Sequence, residues 1–70
     1  MQIIVNGETR EIDGGCTVAT LLECIALTTS RPMSACAVEV NRGLVPRRQH
    51  AERCLADGDV VEIVTLVGGG

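Results

Sequence analysis

Residues 17–26, TVATLLECIA, decide the fold. Val18, Leu21, Leu22, Ile25 and Ala26 recur at the spacing of one helical face, while Glu23 falls on the other side. Thr17 stands just ahead, where its hydroxyl can accept a backbone N–H of the first turn. Pro32 disfavours helical geometry at Arg31, so "TTSRPM" ends the segment. No other stretch of the chain carries an apolar helical stripe. One helix must therefore cover whatever sheet the remaining residues form.

Outward from the helix, the chain alternates as strands do. Gln2 to Val5 is β-prone, and Asn6-Gly7 is a preferred pair for a tight hairpin turn with positive φ. The returning strand closes on Ile12, and "DGGC" breaks it. After the helix, "ACAVEV" is expected to place Val38 and Val40 inward and Glu39 outward. "NRG" turns the chain, "LV" starts a short fourth strand, and Pro46 stops it, as suits a sheet edge. "RRQHAERCL" reads as a short helical turn or an ordered loop, and "ADGD" as a turn. "VVEIVTLV" is the most β-branched strand of all. The order β-β-α-β-β-β makes an α+β domain, a mixed sheet of four to five strands packed on one helix. The first and last strands carry the densest Ile and Val. Set side by side in the centre, they give a ubiquitin-like β-grasp arrangement.

Seventy residues make one domain. Its expected extent is 1–67, with 68–70 as a flexible glycine tail. Apolar residues are 46% of the chain, yet Phe, Tyr and Trp are all absent, so the core is aliphatic. Missing ring faces and a net charge of −3 argue against nucleic-acid binding. The six basic residues are all arginine, so no lysine is available for a Schiff base or an isopeptide link. Nothing reads as a signal peptide or a membrane span, and the expected compartment is the cytoplasm. The four cysteines are too widely spaced for a zinc or redox C-x-x-C pair. Cys24 and Cys36 are expected to be buried small hydrophobes; Cys16 and Cys54 lie nearer loops, where they can be exposed. His50 is expected to be a packing or surface residue, Asp57 and Asp59 turn formers, and Arg47 and Arg48 a solvated basic spot.

The last strand runs into Gly68, Gly69 and Gly70. Three glycines form a thin backbone strand that can enter a slot closed to other residues. A terminal carboxylate at Gly70 would become reactive once adenylated. The same glycines are also what a cloning scar, a frayed end or a linker looks like. A second feature bears on the choice. With Ile3, Val5, Val61 and Ile63 facing the helix, Ile4, Val60, Glu62 and Val64 lie on the open face. Ile4, Val64 and Leu66 are then candidates for an exposed apolar docking patch leading to the tail, although scattered surface valines are normal.

Four stretches, "MQIIVNGE", "TVATLL", "VEVNRGLVPR" and "LADGDVVEIVTLVGGG", together resemble the ThiS-type sulfur carrier family of thiamine biosynthesis over the whole chain. The resemblance implies that Gly70 is the modified residue, with Gly68 and Gly69 threading into a partner. It implies an E1-like adenylyltransferase that uses ATP and Mg to adenylate Gly70. It implies a persulfide sulfur donor that yields the thiocarboxylate, and a thiazole synthase that takes the sulfur. On this reading the chain is a protein substrate, not an enzyme, and binds no cofactor itself. Two sister roles stay open: sulfur carrier for molybdopterin synthesis, and ubiquitin-like protein modifier.

Overall fold

The structure, a computed structural model, describes residues 1–29 and 36–65. In chain order it contains β1 (Gln2–Val5), β2 (Glu8–Glu11), α1 (Val18–Thr29), β3 (Cys36–Val40), β4 (Gly43–Val45), a 3₁₀ turn (Arg47–Gln49) and β5 (Val60–Thr65). The strands form one sheet in the order β2-β1-β5-β3-β4. The first and last strands are parallel neighbours in its middle, with Ile4 opposite Val60 and Val5 opposite Val61. All other neighbours are antiparallel. This is the β-grasp arrangement expected from the strand pattern.

Alternation along the strands decides what is buried. Ile3, Val5, Val38, Val40, Val45 and Val61 turn to one face and meet Val18, Leu21 and Leu22 of α1. Ile3, Val18, Leu21, Val38 and Val61 are almost wholly buried. No aromatic side chain takes part, so branched aliphatics fill the space with Cys16 among them. Both hairpins use two-residue loops with positive φ. Asn6 and Gly7 stand at 50° and 84°, and Asn41 and Arg42 at 52° and 70°. Such loops match the twist of the strands they join. β2 ends at Glu11, but Ile12 exchanges hydrogen bonds with Met1 in both directions (2.8 and 2.9 Å) and carries the ladder one residue further.

The segment read as either a helical turn or a loop is a 3₁₀ turn followed by an ordered loop, and it braces α1. The first helical N–H groups have no partner inside the helix. Here Val18 N–H donates to Arg53 O (3.0 Å), Ala19 N–H to His50 O (3.0 Å) and Thr20 N–H to Thr17 Oγ1 (3.2 Å). Thr17 is therefore the cap, as expected. His50 is buried and its Nε2 donates to Val45 O at 3.0 Å, tying the loop to β4.

Two cysteine expectations are overturned. Cys24 is exposed, because it sits about 130° round the helix from the centre of the stripe, outside the apolar face. Cys16 is buried: Leu55 N–H donates to Cys16 O (2.8 Å), and Thr17 bridges Cys54, which draws this segment against the core. Burial pushes the Cys16 thiol up, helped by the nearby Cys24 and Asp13. A raised thiol is mostly protonated at neutral pH and a poor nucleophile. Cys36 is half-buried beside the core and Cys54 is exposed. None of the four forms a disulfide. Among the described residues, no helix is long and apolar enough to cross a membrane.

Candidate functional site

The site is built on β5. This strand has a neighbour on each edge, and side chains fasten it at Val60 and Ile63. At the start, Asp59 is nearly buried and its two oxygens accept from Ala56 N–H (2.8 Å) and Asn41 Nδ2 (3.0 Å). Burial raises the Asp59 carboxyl, but the Ala56 amide, the Asn41 amide and the charge of Arg53 outweigh it and hold the group below its usual range. Asp57 accepts from Gln2 N–H (2.8 Å), which joins the preceding turn to β1. Both aspartates are thus turn residues, as their sequence context suggested, and they also anchor the turn to β1 and to Asn41.

The open face of the sheet carries the candidate docking residues. Ile4 is 39% exposed and Val64 54%. Leu66, Gly68, Gly69 and Gly70 lie outside the described residues. The register sets Ile4 beside Val60, which is 42% exposed. Val64 stands four residues further along β5, about 13 Å away along the strand, opposite Ala37. Between these two apolar ends lie Glu62 and Glu39, directly opposite one another, with Leu44 (66% exposed) beside Glu39 on β4. Two carboxylates facing across a ladder repel. The face is therefore apolar at both ends and acidic in the middle. Strand alternation alone placed Glu39 and Glu62 outward. Only the pairing of β3 with β5 made them neighbours, and no local signal in the sequence carries that register.

The described residues gather no cluster of three or more metal-ligating side chains. A hollow of about 360 Å³ lies between α1 and the 3₁₀ turn, lined by Glu23, Cys36, Arg47 and His50 among others. The imidazole there is committed through Nε2 to Val45 O. The geometry offers a braced strand and a mixed apolar and acidic face, which suits binding another protein.

Comparison with known proteins gives one answer at three levels. The sequence model of the ThiS family matches residues 3–70. The chain is 31% identical over 70 residues to the sulfur carrier protein ThiS of Escherichia coli, covering all of both chains. It is 36% identical over 70 residues to a thiazole synthase of Paramagnetospirillum magneticum, where it spans 20% of that protein's length. The crystal structure of the thiamine biosynthesis protein ThiS from Geobacter metallireducens superposes with a TM-score of 0.78 at 29% identity, covering all of both chains.

Proposed function

The chain belongs to the ThiS family, and from that premise we infer that it is a sulfur carrier protein of thiamine biosynthesis. The observation that carries this reading is the end-to-end match to the Escherichia coli carrier, on the same β-grasp scaffold as the Geobacter protein. The chain acts as a carrier for partner enzymes and not as a catalyst itself.

The working atom is the carboxyl carbon of Gly70. A carboxylate resists attack because its oxygen leaves poorly. An E1-like adenylyltransferase, using ATP and Mg, joins that oxygen to AMP and releases pyrophosphate. The outer sulfur of a persulfide on a donor protein then displaces AMP to give an acyl disulfide, and a second thiol cleaves its S–S bond, releasing the thiocarboxylate and leaving the donor sulfur in a disulfide. A thiazole synthase is the acceptor, in keeping with the thiazole synthase that contains a segment similar to this chain. Gly68 and Gly69 have no side chains to obstruct a narrow partner channel. Ile4, Val64 and Leu66 make the apolar contacts of docking, and Glu39 and Glu62 favour a partner that brings a basic group between them.

The test is intact mass spectrometry after incubation with an E1-like adenylyltransferase, ATP, Mg and a persulfide donor. The expected result is exchange of one oxygen for sulfur at Gly70. If a known carrier is converted in parallel while this chain is not, the reading fails.

A further inference from the structure

Asn6 sits where β1 leaves the sheet. Its backbone N–H donates to Val61 O at 2.9 Å. The main chain then turns away through the hairpin, but the side chain continues the ladder. Nδ2 donates to Ile63 O (3.2 Å), and Oδ1 accepts from Ile63 N–H (2.8 Å). A strand neighbour would satisfy β5 through its own main chain; here one side-chain amide does the same work. Asparagine suits the place for two reasons. It tolerates the positive φ of the turn better than other residues with a side chain, and it carries both a donor and an acceptor.

Asn41 supplies a natural control. It too opens a two-residue hairpin at positive φ, and it touches β5 from the opposite edge. Its N–H donates to Val60 O (2.7 Å), and its Oδ1 accepts from Val60 N–H (3.0 Å). Asn41 thus holds the first residue of β5. Asn6 holds Ile63, just ahead of Val64 and Thr65, where the chain heads toward its glycines.

We propose that Asn6 is a positioning residue for carrier activation: its amide fixes β5 at Ile63 and so steadies Val64 and Thr65, the strand residues that precede the run to the glycines. The proposal rests on the sulfur-carrier reading above. A partner that must capture a terminus binds more weakly when the strand supporting it is only partly formed, since the competent fraction falls. The chemistry at Gly70 is unchanged once bound. Loss of the amide therefore raises KM and leaves kcat alone.

The experiment compares Asn6→Gly with Asn41→Gly in the full chain, at a temperature where circular dichroism shows both folded. Glycine keeps the positive φ and removes only the amide. Amide hydrogen exchange at Ile63 is expected to quicken about tenfold in Asn6→Gly and to stay near wild type in Asn41→Gly. In pyrophosphate-release kinetics with an E1-like adenylyltransferase, KM for the carrier is expected to rise in Asn6→Gly only, in inverse proportion to the fraction of molecules that keep Ile63 fixed, about twofold where half have released it. Asn6→Asp keeps the acceptor for Ile63 N–H but sets a carboxylate against Ile63 O, and is expected to fall between Asn6→Gly and wild type. Equal effects in the two glycine variants, or none in Asn6→Gly, would overturn the proposal and leave Asn6 a turn residue. If the wild-type chain is not adenylated at all, the carrier reading falls, and the exchange rates alone decide whether Asn6 holds the strand end.

Discussion

Val61 and Val64 lie on the same strand, have the same side chain and differ only in which way they point. Val61 is fully buried against α1, whereas Val64 is 54% exposed on the open face. The first belongs to the core and the second to a surface that a partner can reach. One period-two pattern thus separates stability from recognition along a single strand, and the inward residues can hold the strand steady while the outward ones are free to serve binding.

The largest expected effect tests that division directly. Val61→Ala leaves a cavity in a core that has no aromatic to fill it, and is expected to cost about 2–3 kcal/mol. For a domain this small, that lowers the melting temperature by roughly 10 °C or more. Val64→Ala is expected to change stability by less than about 0.5 kcal/mol while weakening binding to the activating enzyme. Thermal denaturation and a binding titration read the two outcomes; equal losses of stability would erase the distinction between the faces.

Next in size is the anchor at the start of β5. Asp59→Ala removes the acceptor for Ala56 N–H and Asn41 Nδ2, and is expected to cost about 1–3 kcal/mol at neutral pH. The folded-state pKa of Asp59 is lowered. Its contribution is therefore complete above the unfolded carboxyl value of about 3.9 and is lost as pH falls through the folded value. Urea midpoints of wild type and Asp59→Ala should converge as the pH drops below that point. A constant gap across the acid range would show that the carboxylate charge does not matter.

The two hairpins provide a smaller contrast. Gly7 occupies its positive φ without strain, while Arg42 holds a φ of 70° with a side chain attached. Arg42→Gly is expected to gain up to about 1 kcal/mol, and Gly7→Ala to lose about that much. Smallest of all is the acidic pair. Glu62→Gln relieves repulsion across β3 and β5 and is expected to stabilise by about 0.2–0.5 kcal/mol at low salt. The gain should fade in high salt. A gain that persists there would mean the two carboxylates do not interact.

Much of the fold was legible in the residues. The helical stripe, the Thr17 cap, the Asn6-Gly7 turn and the alternation of β3 and β5 are local patterns, set by neighbours three or four apart in the helix and two apart in the strands. Misreadings arose where a residue's setting comes from a distant segment. Cys16 looked like a loop residue until Leu55 and Cys54 were brought against it. Cys24 looked apolar by type, yet it falls on the flank of the helix. For the candidate site, the outward faces of Ile4 and Val64 followed from alternation, but the acidic row between them did not.

The sequence alone determined which residues could be strand, helix and turn, and which faces were apolar, because propensity and periodicity act over a few residues. It also carried the family resemblance and the run Gly68–Gly70. Only the tertiary structure decided that Glu39 would face Glu62, that the 47–55 loop would brace the helix N-terminus, and that the amides of Asn6 and Asn41 would grip opposite edges of β5. These are meetings of residues far apart in the chain. They depend on strand register and on where the packed core lets backbones approach, which no local pattern encodes.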